Sequence, residues 1–305
     1  MARSTPARAP GVTLRAHPPF AWAPLVEFLS DRAIPGVEDV GESHYRRTTM
    51  VDRQGAVVEV RPEGSCAVHV SMRSRSGYMD PEPVIGRVRH LFDLDARPRV
   101  IRSALSADPE LRAIVSRSPG LRVPGAWDPF EIGVRAILGQ QVSVKGASTL
   151  SGRFAKRFGR PLAKVLRTEK LDVLFPYPRV CIGADAIPEI GDVGLPRARA
   201  ASIVGFAEAL VRGRVSFDPD IDNRAFLGAL TAIKGIGPWT AHYVAMRARH
   251  DGDAFPAGDL VLLRALADAS TPRALEVRAE AWRPWRAYAA MHLWRDYGRT
   301  RCGGG

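Results

Sequence analysis

The apolar positions of this chain change period near residue 98. Before it they recur at every second residue in several short runs, and after it at every third and fourth. Residues 45–51, 56–61 and 67–72 alternate as half-buried strands do. The turn-forming stretches Arg53-Gln54-Gly55 and Pro62-Glu63-Gly64-Ser65 predict that they form an antiparallel meander. Two helical segments flank the runs: 19–33, with Leu25, Phe28 and Leu29 on one face, and 81–94, with Val84, Ile85, Val88, Leu91 and Phe92 set to cover the sheet.

Beyond residue 98 the pattern is helical throughout. Helices are expected at 99–106 and 109–117, then after Asp128, whose side chain can cap, with Pro129 in the first turn and Glu131 at capping-box spacing. That helix carries Phe130, Val134, Ile137 and Leu138 and stops at Gly139. Ser143 caps the next, with Val144, Ala147, Leu150, Phe154 and Phe158 on one face and Gly159 at its end. Further helices are expected near 171–174, 185–189, 196–212, 223–232, 239–249, 259–267, 274–281 and 284–297. The fold class is therefore α+β: a small antiparallel-sheet domain with helices, followed by two all-α domains. We expect residues 1–10 to be a disordered basic tail, 11–98 the mixed domain, 123–251 one helical domain, and 99–122 with 252–305 the other, with a cleft between the helical parts.

Length and composition narrow the function class. A chain of 305 residues with 46% apolar residues can fill two or three cores. A formal charge of +12, carried by arginines spread along the chain, favours a polyanionic partner. Cys66, Cys181 and Cys302 are far apart and form no CxxC pair, which argues against zinc, an iron–sulfur cluster and a disulfide framework. With no apolar stretch of membrane-spanning length and no secretory leader, a cytoplasmic, membrane-free location is expected.

Chemistry concentrates between residues 230 and 259. Gly235 and Gly237 flank Ile236, so the backbone can take positive φ at either glycine while the isoleucine plugs the turn into the core. Pro238 is suited to the first turn of a helix, whose N-terminus would then face the same way as the hairpin amides. Such an arrangement can bind a phosphate through backbone N–H groups alone. Asp259 follows a Pro-Ala-Gly loop and opens the apolar run Leu260 to Leu263. A helix cap is its plain reading, and a cap at the edge of a cleft can also face a substrate. The Gln140-Gln141 pair lies at a corner between two helices, either as a solvated connection or as side chains able to fill a gap in a base stack. Trp285 and Tyr288 have the spacing of packing residues, whereas an indole at the first turn of a phosphate-facing helix, Trp239, fits a cleft wall, as does Trp294.

These motifs, with Leu91-Phe-Asp-Leu, Val134-Arg-Ala-Ile-Leu-Gly-Gln, Val142-Ser-Val, Gly235-Ile-Gly-Pro-Trp-Thr-Ala and Trp282-Arg-Pro-Trp-Arg-Ala-Tyr, occur in one order over nearly the whole chain. In this the sequence resembles the 3-methyladenine DNA glycosylase II family of the helix-hairpin-helix DNA glycosylase superfamily. The resemblance implies a monofunctional base-excision-repair enzyme that flips alkylated purines from duplex DNA and hydrolyses the N-glycosidic bond. It implies Asp259 as the essential carboxylate and Trp239, Tyr243 and Trp294 as pocket walls, with Phe28 contributing from the first domain. Gly235, Ile236, Gly237, Thr240, Gln140 and Gln141 would meet DNA, Gln141 as the wedge. The carbonyls of Ile233 and Ile236 would hold a structural ion at the hairpin; catalysis itself would need no cofactor.

Two departures stand out. The best-known member has an apolar wedge where this chain has Gln141, and a second pocket tyrosine is replaced by Leu260. Related glycosylase/lyases carry a Schiff-base lysine two places after the second hairpin glycine, where this chain has Trp239. Two other readings stay open at this point: a bifunctional glycosylase with lyase activity, and a noncatalytic damage-binding protein. A monomer bound to double-stranded DNA containing alkylated bases is the expected state.

Overall fold

The computed structural model describes residues 9–266 and 271–302. Most of the expected basic tail, residues 1–8, and the end of the helix expected at 259–267 lie outside the described residues. The first layer is an antiparallel sheet of β1 (Val12–Arg15), β2 (Glu38–Gly41), β3 (His44–Val51), β4 (Gln54–Glu63), β5 (Ala67–Ser74) and β6 (Gly77–Met79). Its order is β1-β5-β4-β3-β2, with β6 also pairing β5. The three strands legible in the sequence are its centre. Between β3 and β4 the turn falls on Asp52 and Arg53, both with positive φ, slightly earlier than expected, and their consecutive left-handed geometry suits the twist of a two-residue hairpin.

Helices α1 (Trp22–Asp31) and α2 (Glu82–Leu91) lie with this sheet. Leu25, Leu29, Val58, Val60, Val84, Val88 and Phe92 form one buried core there. Strand β2 was not legible because Glu38 and Asp39 break the apolar alternation; both are nonetheless buried, held by ion pairs.

The remainder is mostly helical: α3 (Pro98–Leu105), α4 (Pro109–Arg117), α5 (Pro129–Leu138), α6 (Val144–Phe158), α7 (Ala186–Gly191), α8 (Arg197–Val211), α9 (Asn223–Thr231), α10 (Pro238–Ala248), α11 (Leu260–Ala265), α12 (Pro272–Ala279) and α13 (Arg286–Cys302). One expected helix is wrong. Residues 171–174 instead include a short strand, β8 (Val173–Leu174), paired with β7 (Arg160–Pro161), while Leu171 bridges to Gly36. Four residues reading Leu-Asp-Val-Leu fit either period, and the pairing that decides between them comes from outside the segment, from β7 and from Gly36.

Capping explains where α5 and α6 begin. Asp128 accepts the Glu131 amide at 3.0 Å, and Ser143 Oγ accepts the Gly146 amide at 3.1 Å. The capping box suggested by Glu131 is not closed, because its buried carboxylate instead takes a bidentate bond from Arg47 of β3, at 2.6 and 3.3 Å. Glu38 and Arg135 complete this buried junction, two cations against two carboxylates, between the sheet and the helical core. Helix α5 is buried on nearly every side. Its Gly133 permits close approach, since a Cβ there would fall 2.1 Å from the Phe206 ring of α8. Trp285 and Tyr288 pack as expected, with ring centroids 5.8 Å apart.

Candidate active site

Helices α9 and α10 are joined by a hairpin whose geometry divides the work of its two glycines. Gly235 has φ +88°, and a Cβ there would lie 2.0 Å from Ser202 Oγ, so the fold itself demands glycine. Gly237 has φ −88° and caps α10; a Cβ there would meet nothing within 4 Å. Its value is the open approach it leaves to the first turn of the helix. Ile236 between them is buried at 4% exposure, plugging the turn into the helical core, and Lys234 is exposed. The Ile233 carbonyl accepts the Ile236 amide at 3.0 Å.

The two glutamines differ sharply. Gln140 Nε2 donates to the Gly235 carbonyl at 3.0 Å and to Thr240 Oγ1 at 3.1 Å, bracing the α5–α6 corner against the hairpin. Thr240 is buried, so its hydroxyl serves this brace and only its amide belongs to the helix end. Gln141 is exposed and held at φ +58°, a conformation unfavourable for a side chain of this type. The exposed Val142 and Val144 flank it, so the corner presents a projecting polar side chain on an apolar base.

Asp259 caps α11: Oδ1 accepts the amides of Val261 at 2.9 Å and Leu262 at 3.1 Å. The same carboxylate takes two indole N–H groups. Trp294 of α13 donates to Oδ1 at 3.0 Å, and Trp239 of α10 donates to Oδ2 at 3.1 Å. Oδ1 is thus crowded by three donors, while Oδ2 has one and retains lone-pair capacity for an approaching group. Helix cap and aromatic cluster share one carboxylate, and four N–H groups fix its orientation.

The aromatic surroundings follow from helical spacing. Trp239 and Tyr243, four apart on α10, stack with centroids at 5.4 Å and planes 6° apart. Trp294 lies 6.5 Å from Tyr243. Phe28 of α1 joins from the first domain and is capped by two guanidiniums, those of Arg32 and Arg247, at 3.8 and 5.0 Å from its ring centre. Trp239, Tyr243, Trp294, Phe28 and Asp259 are all half-buried, as walls of an open cleft would be. Leu260 is 65% exposed beside Asp259, so it leaves one edge of the site uncovered.

Arg247 and Arg32 were missed in the sequence. Their signal was available: Trp239, Tyr243 and Arg247 recur at four-residue spacing and form a ladder along one face of α10. Arg247 Nη1 donates to the Tyr243 hydroxyl at 2.6 Å. Elsewhere, a groove of about 470 Å³ lined by His90, Asn223, Arg249 and His250, among others, contains none of the residues gathered around Asp259.

A glycine hairpin, a helix N-terminus and a carboxylate held by two indoles define a class, and comparison with known proteins agrees. Residues 134–287 match the model of the HhH-GPD superfamily base excision DNA repair protein, and residues 11–128 match that of the AlkA N-terminal domain. The chain belongs to the HhH-GPD superfamily. It is 34% identical to DNA-3-methyladenine glycosylase 2 of Escherichia coli, covering 92% of this chain and 96% of that protein. It is 39% identical to a probable bifunctional transcriptional activator/DNA repair enzyme AlkA of Mycobacterium tuberculosis over 95% of this chain, but spans only 58% of that protein's length. Among solved structures, the 3-methyladenine DNA-glycosylase of Archaeoglobus fulgidus shares the fold, with TM-score 0.78 at 21% identity and coverage of 94% of this chain and 98% of that one.

Proposed function

We propose that this chain is a monofunctional DNA glycosylase that turns alkylated purines such as 3-methyladenine out of duplex DNA and hydrolyses their N-glycosidic bond. The observation that carries the reading is Asp259, pinned by Trp239 and Trp294 beside the hairpin rather than buried as a simple cap. Alkylation at N3 or N7 makes the purine a good leaving group, so the site need supply little acid catalysis. It has to hold the base and stabilise the sugar as positive charge develops there. The unsaturated Oδ2 of Asp259 is the atom suited to that charge.

Extruding the base costs a few kcal/mol, less for a damaged pair. Backbone amides around Gly237 would grip a phosphate, and Gln141 would enter the gap in the stack; both offset that cost. In this reading Gln140 and Thr240 act by holding the hairpin in shape. A cation at the hairpin is part of the proposal. Ile233 has used one lone pair on the Ile236 amide and Gly235 is covered by Gln140, leaving the remaining capacity of Ile233 and the carbonyl of Ile236 as the hard-oxygen ligands. That ion would neutralise the phosphate without touching the reacting bond. We place the enzyme on chromosomal DNA as a monomer.

Trp239 stands where a lyase needs its amine, and the neighbouring Lys234 is exposed on the hairpin. The test uses a duplex bearing one 3-methyladenine. Released base, an abasic strand that breaks only after alkali, and no covalent adduct on borohydride treatment are expected. An adduct with strand nicking would establish the lyase reading, and damage-specific binding without release would establish the binder.

A further inference from the structure

The charges nearest the aromatic cleft are not all balanced. At the domain junction, Arg47 and Arg135 face Glu38 and Glu131 and cancel. Arg247 has no such partner: it is buried at 1% exposure and donates to the carbonyls of Pro124 and Gly125 and to the Tyr243 hydroxyl, with no carboxylate ion pair among the described residues. Arg32 likewise makes no carboxylate ion pair among the described residues; it bonds the Phe28 carbonyl at 3.3 Å and acts electrostatically on the same phenol. A buried cation without a counter-ion is unfavourable, so Arg247, joined at the Tyr243 hydroxyl by the half-buried Arg32, demands an account.

The ladder on α10 gives the direction of the site. Trp239 stands in the first turn, at the hairpin end, level with Asp259. Tyr243 lies four residues on and Arg247 eight, about 6 and 12 Å along the axis at ~1.5 Å per residue. A purine whose sugar carbon sits at Asp259 therefore carries its opposite edge, the one bearing the C6 substituent, toward the Tyr243 hydroxyl. That oxygen accepts from Arg247, so its own hydrogen is what it can offer the cleft. Burial alone would raise the phenol, yet the guanidiniums of Arg247, Arg32 and Arg135 outweigh it and hold the group below its ordinary range, which makes it a stronger donor.

We propose that Tyr243, aimed by Arg247 and Arg32, reads the base edge farthest from the sugar and favours lesions carrying an oxygen at C6 over those carrying an amino group. The proposal deepens the glycosylase reading and rests on it. A 6-oxo group accepts the phenolic hydrogen and lies favourably in the field of the Arg247 and Arg32 guanidiniums. A 6-amino group presents a donor to a donor and meets the same field with the wrong sign. The cation-attracting part of the cleft is then its rim, where Trp239 and Trp294 flank the carboxylate, and the floor selects by hydrogen bonding.

The experiment is release of 3-methylguanine and 3-methyladenine from one methylated duplex DNA under single-turnover conditions. Alkyl position and duplex context are shared, and the guanine 2-amino group is common to both enzymes compared. Tyr243→Phe keeps the ring stacked on Trp239 and removes the hydroxyl. It should lower the ratio of released 3-methylguanine to 3-methyladenine by roughly tenfold, the value of one hydrogen bond in a charged setting. Arg32→Met, at a half-exposed position, should move the ratio the same way by less, and it decides the matter if Tyr243→Phe does not fold. An unchanged ratio, with both bases released, overturns the proposal and leaves the glycosylase reading intact. Release of neither base by the unaltered protein overturns that reading itself.

Discussion

Asp93 and Asp259 are each held by an aromatic donor, and they do opposite things. Asp93, at the junction of the sheet domain with the helical core, is 3% exposed; its Oδ2 accepts the Tyr288 hydroxyl at 2.9 Å and the Val123 amide at 3.1 Å. Asp259 is half-buried, accepts two indoles and two amides, and keeps one oxygen underused. Burial pushes the Asp93 carboxyl up to about 7 despite the opposing pull of Arg122, the Val123 amide and Tyr288. The lesson is that aromatic donors alone do not mark a reactive carboxylate. What separates the pair is access: both bonds at Asp93 close it into the core, whereas Asp259 stays half-buried with one oxygen left underused.

Removing donors should break the pair apart. Trp239→Phe and Trp294→Phe each retain a ring and delete one N–H to Asp259. Each should slow single-turnover base release by roughly tenfold, and the double variant by about a hundredfold, if each charge-assisted bond contributes ~1.4 kcal/mol. A double variant at the wild-type rate would show that the indoles only line the cleft. The hairpin offers the next largest effect. Gly237→Leu meets open space, so its melting temperature should match wild type, while duplex affinity falls by about tenfold with a shallower salt dependence. An unaltered binding isotherm would remove the phosphate role from that turn.

At Asp93 the effects are on stability. Tyr288→Phe should destabilise the fold by about 1–3 kcal/mol, measured by denaturant unfolding, with base release unchanged. The smallest effect is a slope. An unfolded aspartate titrates at about 4 and folded Asp93 at about 7, so between these values the native state holds the extra proton and this group makes stability fall as pH rises. Asp93→Asn can keep both bonds on one oxygen and lacks that titration, so its unfolding midpoint should fall less steeply across the window. Parallel pH profiles would contradict the burial argument.

The sequence made the centre of each region legible and left its edges obscure. The alternation at 45–51, 56–61 and 67–72 was visible because one face of each strand is buried; β2 was hidden because its buried Glu38 is satisfied by Arg47 of the neighbouring strand and by the distant Arg135. The short strand at Val173–Leu174 was mistaken for a helix because its pairing and its bond from Thr48 Oγ1 to the Val173 carbonyl come from elsewhere in the chain. Glycines, a proline and an aspartate at fixed spacing exposed the hairpin and Asp259, since local backbone chemistry dictates them. That Gly235 alone takes positive φ, that Gln140 braces rather than projects, and that Arg32 and Arg247 stand behind Tyr243 all depend on elements meeting in space.

Single-turnover release of 3-methyladenine by Asp259→Asn, with duplex binding measured on the same preparation, tests the central role of that carboxylate. Asparagine keeps an oxygen for the helix cap but loses the negative charge. The expected result is a loss of release by at least about 10³-fold with binding within a few fold of wild type. Release at the wild-type rate by the folded variant would leave Asp259 a helix cap and move the chemistry elsewhere.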